Sequence, residues 1–255
     1  GMKGETDLGN GMTAFGSFED GMVPRADGNV RDIKVGLKGD FGQVFVGDKT
    51  NHTWDTYMST DSTWWFGGTQ KLSDGIQKGI TYMGTAGPVS FGVSAAMDED
   101  ANNADEETLD QIEFVASFDA GPVNIALGMT DENESPSAAD PEPVTGFVVK
   151  GNAGGFGYAV DFQQQGGNAL VGADDEFDRT SLQFQGTFGN FIAQYGVINT
   201  DGVGNEASPT NLTLTYTQNL GPATLVYYEF RSSDDDTPTS DAATVLAAVL
   251  KYNIL

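Results

Sequence analysis

Apolar and polar residues alternate with a period of two along most of this chain. In residues 89–95 every odd position is apolar and every even position is Ser or Gly, and residues 111–118, 156–163 and 212–216 follow a similar alternation. Such alternation, with one apolar face, predicts β-strands. Runs of about nine residues are also long enough to cross the hydrocarbon core of a membrane at a tilt.

Glycine-centred turns divide the alternating runs at nearly even intervals. The turns lie at Gly9, Gly42, Gly87, Gly121, Gly155, Gly189 and Gly221, and between successive turns the chain holds two runs joined by a long loop. The pattern predicts fifteen strands, of which the first is only a stub, at residues 1–4, 11–18, 30–37, 43–47, 76–84, 89–97, 110–119, 123–130, 144–150, 156–164, 178–186, 190–198, 210–217, 223–231 and 243–254. Short turns at one end and long loops at the other are typical of a transmembrane, antiparallel, up-and-down β-barrel.

A soluble β-sandwich would show the same alternation, but three features of the chain favour the barrel. All nine prolines fall in predicted turns or loops, most predicted strands exceed five or six residues, and the polar face is rich in Gln, Ser, Thr and Gly. The repeat runs nearly from end to end, so residues 1–255 are expected to form one domain. Because single-chain bacterial barrels have even strand numbers, we expect sixteen strands, with one full strand preceding Gly1.

The charge of the chain is strongly acidic. The formal net charge is −25, from 37 acidic and 12 basic residues, and most of the acidic residues lie in the predicted loops. Phosphate binding needs clustered Lys and Arg, so nucleic acid is disfavoured as a partner. An acidic surface also suits a protein that works in high salt. The chain contains no cysteine, which excludes disulfides and thiolate metal sites within it.

Several motifs resemble those of the general, trimeric porins of Gram-negative outer membranes. Residues 3–12 (KGETDLGNGM) resemble that family's "KGxEDLGNGL" turn, Arg31 with residues 35–42 (VGLKGDFG) resembles "RxxxVGLxGxFG", and residues 249–254 (VLKYNI) resemble the closing "GLRYNF". In the family the first of these turns joins the second strand to the third, which fits an absent first strand. The resemblance implies a homotrimer in outer-membrane lipid and lipopolysaccharide, without a cofactor.

One long segment, roughly residues 48 to 75 and called here the 48–75 loop, contains all three tryptophans and the single histidine. In general porins the loop after the fifth strand folds into the lumen and narrows it, and the 48–75 loop has the matching position. The resemblance therefore implies a constriction loop. Its candidate residues are the acids Asp48, Asp55 and Asp61 and the aromatics Trp54, Tyr57, Trp64 and Trp65.

Basic side chains are expected on the wall that faces this loop. Arg31 follows from the resemblance and Arg179 from alternation alone, while Lys34 shares the polar phase of Asp32 and pairing with it is an alternative role. Opposed acids and bases create a transverse field that sets ion preference. Asp48 stands where the family's "LGR" motif has Arg, so cation preference is expected.

The function that follows is a water-filled channel for passive diffusion of small hydrophilic solutes and ions. Two alternatives remain open: an oligosaccharide-selective porin in which the four aromatics form a stacking slide, and a soluble carbohydrate-binding or adhesive β-sandwich. No enzyme signature accompanies His52, because the chain has no G-x-S-x-G, P-loop or H-E-x-x-H motif. The acidic loops offer weak calcium candidates without the EF-hand pattern, namely Asp98, Asp100, Asp234 and Asp236.

Overall fold

The computed structural model of the chain describes residues 1–21, 29–48, 50, 52–60, 71–73, 75–97, 109–132, 142–169, 176–202, 207–221, 224–236 and 243–252. These residues form fifteen strands and one short helix. The strands are β1 (Met2–Gly9), β2 (Met12–Gly21), β3 (Asn29–Gly39), β4 (Gly42–Asp48), β5 (Lys78–Ala86), β6 (Val89–Met97), β7 (Leu109–Asp119), β8 (Val123–Glu132), β9 (Val144–Ala153), β10 (Phe156–Ala169), β11 (Glu176–Phe188), β12 (Phe191–Asp201), β13 (Thr210–Gly221), β14 (Thr224–Asp234) and β15 (Ala243–Tyr252), and the helix is α1 (Thr53–Tyr57).

The strands form one sheet in which β1 to β15 follow one another in chain order. Neighbouring strands pair in antiparallel register, as in β10 with β11 and β13 with β14. This is the up-and-down arrangement that the sequence predicts. No helix among the described residues is long and apolar enough to span a membrane.

The first strand differs from its predicted extent. β1 is not a stub of four residues, because its pairing with β2 continues from Met2 to Gly9. The pairing reaches this far because the turn is tight: Gly9, Asn10 and Gly11 all have positive φ, at 80°, 53° and 74°. The second half of β1 was not predicted because charged residues interrupt its apolar alternation. One of them is Glu5, which forms an ion pair of 2.5 Å with Lys38.

The described chain falls into two compact units. The first comprises Gly1–Met58, Ser73–Phe118 and Ala126–Ser137, and the second comprises Ser59–Leu72, Asp119–Ile125 and Ala138–Leu255. The single domain predicted for residues 1–255 stays a prediction.

In both units the apolar side of the sheet is exposed and the polar side is buried. On β7 of the first unit Phe114 is 42 % exposed while its neighbour Glu113 is 0 % exposed, and on β13 of the second unit Leu214 is 43 % exposed while Thr213 is 1 % exposed. We call these two sides the apolar face and the polar face. The distribution is the reverse of that in a water-soluble sheet and suits strands whose outer side meets hydrocarbon.

Candidate functional site

In the first unit, the start of the 48–75 loop lies on the polar faces of β5 and β6. The Thr81 hydroxyl donates to Ser94 Oγ at 2.9 Å, and therefore accepts from His52 Nδ1, which lies 2.5 Å from it. Ser94 Oγ lies 2.6 Å from Thr53 Oγ1 and accepts from the Thr53 backbone N–H at 3.0 Å. All four side chains are buried, so this chain of hydrogen bonds fixes the position where α1 begins.

Glu113 on β7 binds both limbs of the same loop. Its Oε2 accepts from the backbone N–H of Trp54 at 3.2 Å, and its Oε1 accepts from the backbone N–H of Ile76. Trp54 lies in the first part of the loop, and Ile76 directly follows the loop and precedes β5. A carboxylate that accepts from two backbone N–H groups forms charge-assisted hydrogen bonds, which are about twice as strong as neutral ones.

Glycines on the sheet make room for α1. A Cβ on Gly92 would lie 2.7 Å from Thr53 Oγ1, and a Cβ on Gly128 would lie 3.0 Å from the Trp54 ring and 3.2 Å from Met58. Trp54 and Met58 are almost completely buried. The apolar side chains of α1, Trp54 and Met58, therefore pack against the sheet, and the first residue of the helix is hydrogen-bonded to the sheet.

His52 is a packed, neutral residue of this site. Its ring stacks on Phe45 with centroids 5.5 Å apart and an angle of 26° between the planes. Burial lowers the pKa of His52 below its usual value of 6.5, because a charged imidazolium would lose its hydration there. Burial likewise raises the pKa of the Tyr57 hydroxyl above 10.0.

In the second unit, the next residues of the loop bind the polar faces of β9 and β12. Lys150 Nζ donates to the Ser59 carbonyl oxygen at 2.9 Å, and Gln194 Nε2 donates to the Thr60 carbonyl oxygen at 3.0 Å. The Thr60 hydroxyl also lies 3.5 Å from Gln183 Oε1. Thr60 and both glutamines are buried, so this part of the loop is in direct contact with the sheet.

The returning limb is held by an amide on β10. Gln163 Oε1 accepts from the Leu72 backbone N–H at 2.9 Å, while Gln163 Nε2 lies 3.3 and 3.2 Å from the two carboxylate oxygens of Asp161. Asp161 orients the amide so that its oxygen faces the loop. Five contacts of the two units share one property, which is that a strand side chain binds a main-chain group. These groups belong to Trp54, Ser59, Thr60 and Leu72 of the loop and to Ile76 directly after it.

The predicted acids and aromatics of the loop fall partly within the described residues. Asp48 ends β4 and Asp55 lies in α1, both half-buried, while Trp54 is buried and Tyr57 half-buried. Asp61, Trp64 and Trp65 lie outside the described residues. The roles predicted for these seven residues stay predictions.

The predicted basic residues lie on two strands, β3 and β11. Lys34 on β3 places its Nζ 5.7 Å from the centroid of the Phe45 ring. Arg179 on β11 is half-buried and lies opposite Gln165 and Thr200 in the two flanking registers. Arg31 lies on β3, but its side chain is outside the described part of the structure.

The weak calcium candidates have ordinary loop contacts where they are described. Asp234 Oδ1 accepts from the Asp236 backbone N–H at 3.0 Å, and Asp236 Oδ2 accepts from the Ser208 backbone N–H at 2.8 Å. Asp98 and Asp100 lie outside the described residues. In the part of the chain that is described, no three His, Asp or Glu side chains are grouped closely enough to hold a metal ion.

Sequence reasoning did not single out the anchors of the loop. Glu113 and Gln183 stand in the polar phase of clean alternation, and this phase was the available signal. The sequence did not mark Lys150 in this way, because the adjacent apolar residues Phe147 and Val148 interrupt the alternation of apolar and polar positions in β9. A further basic residue, Arg231 on β14, lies opposite Thr213 on the polar face.

Comparison with known proteins identifies the fold. The chain is similar to the solved structure of a loop-deletion mutant of OmpT, an outer-membrane protein of Vibrio cholerae, with a TM-score of 0.76 and 18% identity over 97% of this chain and 87% of that chain. It is also similar to OmpF of Salmonella typhi in complex with daunomycin (TM-score 0.70, 17% identity, 97% of this chain and 88% of that chain) and to an anion-selective porin from Comamonas acidovorans (TM-score 0.68, 17% identity, 98% and 84%). No curated protein sequence matches the chain.

The sequence model of one family, described as Gram-negative porin, matches residues 1–238. Together with the antiparallel up-and-down sheet, this confirms the predicted barrel fold, the predicted family and the location in the Gram-negative outer membrane. The soluble β-sandwich is wrong, since the solved structures that share the fold are outer-membrane barrels. The predicted total of sixteen strands stays a prediction. This chain belongs to the family of Gram-negative porins.

Proposed function

We propose that this porin is a passive channel for small hydrophilic solutes and ions, with a preference for cations. The observation that carries the proposal is the attachment of the 48–75 loop to the polar faces of the strands in each unit. In a porin barrel the polar face surrounds the water path. A loop bound to that face occupies part of the path and leaves a polar opening that excludes large solutes.

Cation preference is supported by the balance of charge. The chain carries −25, and Asp48 and Asp55 lie at the start of the loop. Charges of one sign along a water path raise the local concentration of the opposite ion. Screening over about 10 Å at 0.1 M salt and about 3 Å at 1 M means that distant acidic groups act mainly in dilute salt.

We further propose a homotrimer surrounded by outer-membrane lipid and lipopolysaccharide. The support comes from a similar structure, that of OmpT of Vibrio cholerae, which has been solved in a trimer form (TM-score 0.68, 18% identity). Trimer contacts are expected among the earliest strands and the last. Size-exclusion chromatography with light scattering in detergent measures this directly, and a monomer in mild detergent would contradict it.

The channel is tested in planar bilayers with a salt gradient. The reversal potential is expected to show cation preference, and the preference is expected to be greater at 0.1 M than at 1 M KCl because of screening. Asp55→Asn is expected to reduce the preference, whereas Asp40→Asn, which removes the same charge from the exposed turn between β3 and β4, is expected to reduce it less. Absence of channels, or anion selectivity in the unmodified protein, would refute the proposal.

The oligosaccharide-selective alternative gains no support from the described aromatics. Trp54, one of the four residues assigned to a stacking slide, is only 1 % exposed, so its ring has no free face for a sugar. A lack of competition between maltodextrins and ion current is therefore the expected result.

A further inference from the structure

A depression lies on the polar face of the second unit, where three neighbouring strands meet. The three strands are β9, β10 and β11, with β10 in the centre. The floor of the depression is formed by two small residues of β10, Gly157 and Ala159. The strand registers place longer polar side chains on both sides of this floor, with Lys150 and Gln185 flanking Ala159 and with Asn152 and Thr187 flanking Gly157. Residues directly opposite one another in adjacent strands point to the same face, so these four side chains surround the floor.

The 48–75 loop covers part of this depression. Ser59 and Thr60 line it together with the strand residues, and this open cavity has a volume of about 340 Å³. A Cβ on Gly157 would lie 2.2 Å from Thr187 Oγ1, so the cavity depends on glycine at that position. Its size lies within the range of about 300–1,000 Å³ that is usual for small-molecule sites.

The lining is rich in hydrogen-bond donors and contains no carboxylate among its described residues. The donors include the Lys150 ammonium, the Asn152 and Gln185 amides and the Thr187 hydroxyl. Lys150 gives one hydrogen bond to the Ser59 carbonyl oxygen, and an ammonium has three protons to donate. Such a set suits an anionic oxygen together with neighbouring hydroxyl groups.

Among the described residues, Asp161 places a carboxylate on the same face, two residues beyond Ala159 on β10. It does not line the cavity, is 1 % exposed, and faces the Gln163 amide. It weakens the positive potential of Lys150 without offering an oxygen to a ligand. A ligand is therefore held by one ammonium and several neutral donors, which is a weak and readily reversible kind of binding that suits a channel.

We propose that this depression is a binding subsite for a small hydroxylated carboxylate. The proposal rests on the proposed channel function, because the water path is the route by which such a solute reaches the subsite. In a channel that prefers cations the subsite does not concentrate anions at the mouth. Its effect is instead to lengthen the stay of a carboxylate that has entered.

The test uses single-channel recording in KCl with D-gluconate as the probe and D-glucose as its uncharged counterpart. Gluconate is expected to cause transient reductions of the current that last longer than those caused by glucose. Lys150→Gln is expected to shorten them roughly tenfold, as loss of a hydrogen bond to a charged group does. Lys38→Gln is the matched control, because it removes an ammonium that pairs with Glu5 near the turn between β1 and β2, and it is expected to leave them unchanged.

Lys150 also binds the Ser59 carbonyl oxygen, so a second variant separates ligand binding from attachment of the loop. Thr187→Val removes a hydroxyl from the lining without touching a loop anchor, and it is expected to shorten the gluconate events several-fold. Equal event durations for gluconate and glucose, or unchanged durations in both variants, would overturn the subsite. Normal KCl conductance without gluconate events contradicts only the subsite, whereas absence of conductance contradicts the channel itself.

Discussion

Glu113→Gln is the most informative single substitution in this protein. The buried carboxylate of Glu113 accepts from the backbone N–H groups of Trp54 and Ile76. Glutamine has nearly the same shape, but only one of its two terminal atoms accepts a hydrogen bond. In the variant one backbone N–H keeps an acceptor, while the other faces an NH₂ group that also donates.

The magnitude follows from these two contacts. A hydrogen bond to a charged group contributes about 1.5–3 kcal/mol, and a buried donor left without a partner costs a similar amount. Attachment of the 48–75 loop is therefore expected to weaken by about 2–3 kcal/mol, since the remaining bond also loses its charge. At 1.36 kcal/mol per factor of ten, the ratio of released to attached loop rises roughly 30- to 150-fold.

Single-channel recording measures this release directly. A loop that leaves the polar face changes the open current, so Glu113→Gln is expected to show more frequent current fluctuations at unchanged strand content by circular dichroism. The temperature at which the barrel unfolds in detergent is expected to match that of the unmodified protein, because the strand pairing of β7 does not involve the carboxylate.

Glu5→Gln provides the control, since it makes the same chemical change at a residue that is 59 % exposed and pairs with Lys38. Exposed ion pairs contribute about 0–1 kcal/mol, so its fluctuation frequency is expected to match that of the unmodified protein. If Glu113→Gln fluctuated no more often than Glu5→Gln, the carboxylate would not hold the loop and the reasoning would be refuted.

Three further predictions test packing, pH dependence and the apolar face. Gly92→Val is expected to raise the frequency of current fluctuations, because even a Cβ at this position would clash with α1. Gly4→Val, with nothing within 4 Å of its Cβ position, is expected to leave the frequency unchanged, and equal effects of the two variants would contradict the packing of α1 against Gly92. Because burial lowers the pKa of His52 below 6.5, the attached loop binds fewer protons than the released loop, so attachment weakens as the pH falls below about 6.5. The current is therefore expected to fluctuate more often at pH 5 than at pH 7, and His52→Gln is expected to abolish this pH dependence. A fluctuation frequency of the unmodified protein that did not change with pH would contradict the burial of His52. Val35→Arg, at a residue 60 % exposed on β3, is expected to lower the free energy of unfolding in vesicles by about 2–4 kcal/mol, whereas Leu8→Arg, near a turn, is expected to lower it by about 0–1 kcal/mol. Urea titration measures both values. Equal losses would contradict the expectation that the two residues lie at different depths in the membrane.

The strands were predictable from sequence because one physical constraint acts on nearly every one of them. A strand with lipid on one side and water on the other must alternate, and β6 therefore agrees with its predicted extent from 89 to 97. β1 was predicted too short because its apolar residues are few and its paired charges follow another rule. β10 and β11 extend beyond the predicted ranges, since their pairing continues to Ala169 with Glu176 at one end and to Phe156 with Phe188 at the other.

The candidate site was only partly predictable. The tryptophans and the length of the segment marked the 48–75 loop, because bulky residues in a long loop are unusual. The strand residues that hold it were not marked, since glutamine and glutamate are common on a polar face that meets water. Which of them contact the loop depends on residues far apart in sequence, such as Thr60 in the loop and Gln183 on β11, which are 123 positions apart. No local pattern in the sequence records such contacts.

Five of the hydrogen bonds from strand side chains are made to peptide groups, at Trp54, Ser59, Thr60 and Leu72 of the 48–75 loop and at Ile76 directly after it. Every amino acid carries a carbonyl oxygen and every residue except proline carries an N–H group, so these bonds do not depend on which side chains the loop bears. Loop side chains that make no contact with the strands can therefore be exchanged, one mutation at a time, without a compensating change on the strands. The side chains of the loop are therefore free to diverge between descendants of this chain, while the attachment of the loop to the polar face is inherited unchanged.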